Sequence, residues 1–238
     1  MSPLPTQMSD HWEIQPGTHQ QTRQLMWPIT VGADQTATEL ASHAHQRLTG
    51  ISGLDLVPPR WLHLTTLTTG PAEDIAPAAL ASMIEEAQHL LAAITPITIM
   101  LGRVLYHPRA VMLDAGPAEP FEPVIEAVKT AARHAGHSAE LYHDPWRPHV
   151  TLAYSNATQP AAPIIEALGR NLPARQITIR SVSLVAQSPG QRWTWDLIAD
   201  LPLSISKCQR SPLWGDVLRT NGQASPETTQ LRHYLGCR

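Results

Sequence analysis

Cysteine is nearly missing from this chain: of 238 residues only Cys208 and Cys237 carry a thiol, both close to the C-terminal end. That excludes a disulfide framework and a CxxC metal knuckle, and a reducing cytoplasm is the expected setting. Phenylalanine occurs once, so the aromatic content rests on Trp and Tyr. There is no basic excess either. The formal charge is −3, whereas proteins that hold long nucleic acid by neutralising phosphates carry a clear positive surplus. A pocket for one phosphate or one RNA end stays open. No apolar run is long enough to cross a bilayer, so no membrane contact is expected. The stretch MSPLPTQMSDHWEIQPGTHQQ lacks a basic region followed by an apolar core and reads as no secretory signal. P-loop, GxSxG, GxGxxG and HExxH patterns do not occur.

What is present is a regular middle between two irregular ends. Residues 1–22 are polar and aperiodic, which predicts a flexible arm. Residues 23–203 alternate strand and helix patterns. "QLMWPITV" (24–31) reads as a strand whose Pro28 asks for an edge or a bulge. Asp34 caps a helix to about Leu48. A second helix over 75–94 shows Leu80, Met83, Ile84, Ala87 and Leu91 on one face. Strands 97–106 and 110–115 flank the His107-Pro108-Arg109 turn. A third helix (121–135), a strand (148–154), a fourth helix (162–171) and a hairpin of 175–187 with 192–200 complete the pattern. Mixed helices and hairpins of this kind predict an α+β domain. The tail 204–238 loses periodicity and is predicted to be weakly structured. It holds Lys207, Arg210, Arg219, Arg232 and Arg238 against Asp216 and Glu227, so its charge differs in sign from the acidic body.

Within this frame one short pattern occurs twice. "PPRWLHLTTL" (58–67) places Leu62 and Leu64 on one face of a strand and Trp61, His63 and Thr65 on the other. Eighty-six residues after His63, "PWRPHVTLAY" repeats the arrangement, with Arg147, His149 and Thr151 on one face and Val150 and Leu152 on the other. Of the 12 histidines in the chain, only His63 and His149 are followed two residues later by Ser or Thr. The repeat implies an internal two-fold architecture. An imidazole titrates near ~6.5, so one ring can accept a proton while the second donates one. Two such rings flanking a phosphodiester supply general base and general acid, each worth about 10²–10⁴-fold. Each Thr hydroxyl, one strand pitch away, can donate to a non-bridging phosphate oxygen. No carboxylate cluster accompanies them, so neither metal nor other cofactor is expected.

His63-Leu64-Thr65 and His149-Val150-Thr151 resemble the paired H-x-T/S signatures of the 2H phosphoesterase superfamily, in particular the bacterial 2'-5' RNA ligase / 2',3'-cyclic phosphodiesterase family. The resemblance covers about residues 24–202. It implies a bilobal α+β fold: two mainly antiparallel sheets, flanked by helices, with pseudo-two-fold symmetry around a central groove. It implies metal-independent opening of 2',3'-cyclic phosphates of RNA ends or nucleotides, with 2'-5' linkage of RNA ends in some members. Carried onto this chain, the catalytic residues are His63, Thr65, His149 and Thr151. We take His149 as base and His63 as acid, an assignment the sequence does not decide. Many relatives carry an Arg shortly after the second motif, where Tyr154 and Ser155 stand here. Arg147 is the candidate replacement, with Trp61 for base stacking and Tyr154 and Arg109 as further substrate contacts.

The expected partners are therefore RNA 3' ends or small cyclic-phosphate nucleotides, handled by a monomer. Rival readings are the same chemistry on another cyclic phosphate, RNA ligation as the physiological direction, and a non-catalytic module that binds RNA ends. Other histidines receive plainer readings. His43 and His45 are taken as solvated, and His134 and His137 as favourable charges at a helix C-terminus. The His143-Asp144 doublet is taken as part of a turn. Trp193 and Trp195 are read as core or lobe-interface packing.

Overall fold

The computed structural model describes residues 4–13, 22–137, 140–141, 146–188 and 193–204, and everything below concerns these. In chain order the elements are β1 (Gln7–Met8), β2 (Gln24–Thr30), α1 (Gln35–Leu48), β3 (Leu54–Leu56), β4 (His63–Pro71), α2 (Pro77–Leu91), β5 (Ile97–His107) and β6 (Ala110–Asp114). There follow α3 (Glu122–His134), β7 (Glu140–Leu141), β8 (His149–Ser155), β9 (Gln159–Pro160), α4 (Ala162–Leu168), β10 (Asn171–Ile179), β11 (Ser181–Gln187) and β12 (Trp195–Pro202). Two five-stranded antiparallel sheets result, in the orders β12-β11-β2-β4-β7 and β10-β5-β6-β8-β3. A two-stranded ribbon joins β1 to β9.

Sequence periodicity explains the helices. In α1 the buried residues Ala37, Leu40, Ala41, Ala44 and Leu48 form one stripe, and the Asp34 side chain caps the start by accepting from the Ala37 N–H at 2.9 Å. In α3 the buried set is Val124, Ile125, Ala127, Val128, Ala131 and Ala132. Helices α2 and α3 pack together and cover the first sheet, against β12 and β4 respectively. Helix α1 packs on β10, β8 and α4 beside the second sheet. Trp27 and Phe121 are the largest side chains sealed in the resulting core. No helix among the described residues is long and apolar enough to cross a membrane.

The two sheets are related element by element. Each H-x-T strand lies between one long inner strand and one short edge strand: β4 between β2 and β7, β8 between β6 and β3. The edge strands are exchanged. β3, from the first half of the chain, completes the second sheet, and β7, from the second half, completes the first.

Two sequence expectations change, and a third, an edge or a bulge at Pro28, is narrowed to the bulge. The N-terminal arm is anchored rather than loose over residues 4–13, because β1 pairs with β9 and Met8 is buried. An apolar Met can hold such a segment where composition alone suggests a solvated one. The stretch 175–187, read as one strand, is two strands in different sheets. β10 pairs with β5 in the second sheet and β11 with β12 and β2 in the first, so the chain changes sheet at Arg180, and β11 is buried on both faces from Val182 to Ala186. Pro28 lies on an inner strand, at one of the two places where the β2–β4 register shifts, and β11 pairs only with residues 24–26. The tail beyond Ser204 and the His143-Asp144 doublet lie outside the described residues.

Candidate active site

His63 and His149 are the first residues of β4 and β8, and the same backbone device holds both. The Nδ1 of His63 lies 2.7 Å from the Trp61 carbonyl, and the Nδ1 of His149 lies 2.8 Å from the Arg147 carbonyl. A carbonyl only accepts, so Nδ1 carries the proton in each ring and Nε2 is the basic atom of the neutral form. The preceding residues are fixed equivalently as well. Val31 N–H donates to Leu62 O at 2.9 Å after β2, and Ala115 N–H donates to Pro148 O at 3.0 Å after β6.

Strand alternation then sends the hydrophobic neighbours inward. Leu62, Leu64, Val150 and Leu152 are each at most 1% exposed, leaving the imidazoles and hydroxyls for the opposite face. The two motif strands approach one another, and Trp146 ties them together: its indole N–H donates to the Thr65 carbonyl at 2.9 Å. The same indole packs edge-on against Phe121 at the head of α3.

One cavity of about 1200 Å³ collects this chemistry. Its lining includes His63, Thr65, His149 and Thr151, together with Arg109, Arg147 and Tyr154. Of the candidate site residues, Trp61 alone does not line it. Pro58 and Pro59 start a single 3-10 turn over Pro59–Trp61, so the strand begins only at His63. The Trp61 ring packs against Trp195 at 4.8 Å between centroids. Trp195 in turn meets His63 edge-on at 4.9 Å, a contact that core periodicity alone does not announce.

Sequence reading missed several lining residues. Arg103 and Arg170 join Arg109 and Arg147, so four arginines line a cavity that no Asp or Glu lines among the described residues. Arg103 and Asn171 sit opposite each other where β5 pairs with β10, a register that sequence does not display. Tyr106 also lines the cavity, with its hydroxyl donating to Gly169 O, and burial pushes its phenol up to about 12. The phenol therefore stays neutral. His11 lines the cavity from the N-terminal segment.

Burial pushes the His63 imidazole below its ordinary range; the hydrogen bond to Trp61 opposes this, and nearby His149 pushes in the same direction as burial. His45, expected to be solvated, is half-buried, with Nε2 2.9 Å from the Leu152 carbonyl on β8, and burial lowers it too. Among the described residues no group of three or more His, Cys, Asp or Glu is placed to hold a metal ion. The arrangement can therefore bind a phosphate between two hydroxyls and several cations and can move protons on either side of it.

A family model described as the 2'-5' RNA ligase superfamily matches residues 35–191, about two thirds of the chain. Among solved structures, E. coli LigT complexed with NADP+ aligns with a TM-score of 0.58 at 15% identity, over 77% of this chain and 99% of LigT. TT0787 of Thermus thermophilus aligns with a TM-score of 0.55 at 18% identity, over 76% and 97%. A further structure, described as a phosphoesterase, aligns at 0.57 and 17%, over 77% and 99%. LigT has also been solved with ATP, with 3'-AMP and with phosphate. A search of curated protein sequences finds no match. At these identities the likeness concerns the fold, which is that of the LigT-like 2H phosphoesterases.

Proposed function

Because the chain belongs to the 2'-5' RNA ligase superfamily, we propose that it is a phosphoesterase that opens 2',3'-cyclic phosphates of RNA ends or nucleotides without a metal ion. The observation that carries this reading is the pair of imidazoles lining one cavity, each tethered through Nδ1 to the carbonyl two residues earlier. A binding module has no need to fix two proton-transfer groups in the same tautomer.

Water attacks the cyclic phosphorus, forming one P–O bond, while the bond to the 3' oxygen breaks and leaves a 2'-phosphate. The base takes the proton from water and the acid delivers one to the departing 3' oxygen. Thr65 and Thr151 donate to the non-bridging oxygens, and Arg147 and Arg109 balance their charge. We reverse the sequence assignment of the two histidines. A ring held below the ordinary imidazole range is neutral at pH 7, which suits His63 to be the base. His149 is then the acid. In the ladder it stands opposite Asp114, whereas His63 stands opposite the uncharged Thr30.

The test is a panel of 2',3'-cyclic nucleotides and cyclic-phosphate-ended oligonucleotides, assayed with EDTA present and resolved for 2'- and 3'-products. Turnover to the 2'-phosphate with a bell-shaped pH profile is the expected result. Loss of turnover on chelation overturns the mechanism, and tight binding without turnover would make the protein a binding module.

A further inference from the structure

His11 is a third histidine in the same cavity, and its environment differs from that of the other two. It belongs to a strap, residues 4–13, that crosses β8, β9 and the β5–β6 turn. Besides the β1–β9 pairing, hydrogen bonds fasten the strap: Ser9 N–H to Pro108 O at 2.7 Å, His11 N–H to Ser155 O at 2.8 Å, Ala161 N–H to Thr6 O at 3.1 Å, and Trp12 Nε1–H to Asp55 Oδ2 at 2.8 Å. The His11 ring lies over Tyr154, with centroids 4.2 Å apart and planes inclined by 34°, and Trp12 and Trp193 close the aromatic group around it. The strap lies before residue 35, where the family match begins, so neither motif nor family match assigns it a part in the site.

What can this ring do? His63 and His149 have Nδ1 anchored to a carbonyl; His11 Nδ1 is buried with no hydrogen-bond partner. Without that anchor the ring lacks the fixed tautomer of a general base. Burial, then Arg109 and His107, push it below the ordinary imidazole range, with Asp10 opposing. It is therefore a neutral, polar, flat surface beside cationic groups, which suits an uncharged part of a ligand better than a phosphate. The cavity, at about 1200 Å³, also has room for more than the reacting phosphate.

We propose that the strap is a specificity element: His11, supported on Tyr154, contacts the nucleoside portion of the substrate while the H-x-T pair holds the phosphate. This rests on the phosphoesterase reading for the identity of the substrate. His11 acts in positioning and recognition and takes no part in proton transfer.

The experiment compares the full chain with His11→Phe, which keeps a ring on Tyr154, and His11→Asn, which keeps neutral polarity. Binding of adenosine 2'-monophosphate and of inorganic phosphate is measured by calorimetry, alongside Tm. Steady-state kinetics follow on 2',3'-cyclic AMP and on ethylene cyclic phosphate, which has no nucleoside. His11→Phe is expected to weaken adenosine 2'-monophosphate about tenfold and to raise KM for the cyclic nucleotide similarly. Phosphate binding, Tm, the kcat pH profile and the ethylene substrate should not change, and His11→Asn should recover most of the affinity. Unchanged nucleotide affinity overturns the proposal. So does equal weakening of both ligands, which marks a structural role, or loss of one limb of the pH profile, which marks a catalytic one. If the wild type hydrolyses no cyclic phosphate while His11→Phe still weakens the nucleotide selectively, the phosphoesterase reading falls and the strap's role stands. Wild-type protein that binds neither ligand removes both.

Discussion

His63 and His149 each open a strand and each donate an Nδ1–H hydrogen bond to the carbonyl two residues back, yet their surroundings differ. His63 lies against the edge of Trp195 and opposite Thr30; His149 lies opposite Asp114, which Arg103 approaches at 3.7 Å. The backbone supplies symmetry, and the neighbouring side chains remove it. A symmetric pair of imidazoles would compete for one protonation state, whereas general acid–base catalysis needs one ring charged and one neutral at the same pH. On the proposed mechanism, this difference is what would make one ring the base and the other the acid.

The largest test removes the symmetric part. His63→Ala and His149→Ala should each lower kcat/KM for 2',3'-cyclic AMP by about 10²–10⁴. The double variant should be little worse, because the two act as a unit. Retention of wild-type rate in either single variant would end the two-histidine mechanism. Thr65→Val and Thr151→Val come next, each expected to cost roughly 10- to 100-fold through a lost charge-assisted hydrogen bond. Similar losses in steady-state assays would show that the hydroxyls are as symmetric as the backbone.

The asymmetry is tested by exchanging surroundings. Asp114→Thr copies the first motif's partner onto the second and should lower kcat/KM about tenfold, most at alkaline pH. Trp195→Ala admits water to His63, so the acidic limb of the pH–rate profile should rise toward the ordinary imidazole range while the alkaline limb stays in place. A limb that does not move would assign it to another group.

The smallest effect is on stability. His45, His11 and His63 are all held below their ordinary range, so the fold favours their neutral forms. The stability this contributes is present above about pH 6.5, the unfolded value, and is lost as pH falls through the folded values. Tm should therefore drop on acidification below that point, and His45→Gln should flatten the drop. An unaltered slope would mean that His45 does not feel its burial.

Much of the fold could be read from the sequence because the signal was periodic. The stripe of α1 and the alternation around His149 gave those elements within a residue or two, whereas the strand read over 58–67 runs from His63 to Pro71. The site core was legible for the same reason, since an H-x-T on a strand puts both polar groups on one face. Trp61 was misplaced because parity was carried back from His63 into the 3-10 turn that Pro58 and Pro59 start, where the chain turns instead of extending. Arg103, Arg170 and His11 were not legible, because they reach the cavity through strand register and through a strap held by backbone hydrogen bonds and a buried Met. Short ribbons such as β1 with β9 carry too few residues to show a period.

The exchanged edge strands bear on how such a molecule can be divided. A cut in the connection between α2 and β5 would leave the first fragment with only β2 and β4 of the sheet that bears His63, and the second without β3 beside the strand that bears His149, so each would expose unpaired rims. Neither fragment is then expected to persist as an independent half-enzyme; they should recover order only by reassociating. The two H-x-T histidines are consequently expected to fold and unfold as one unit.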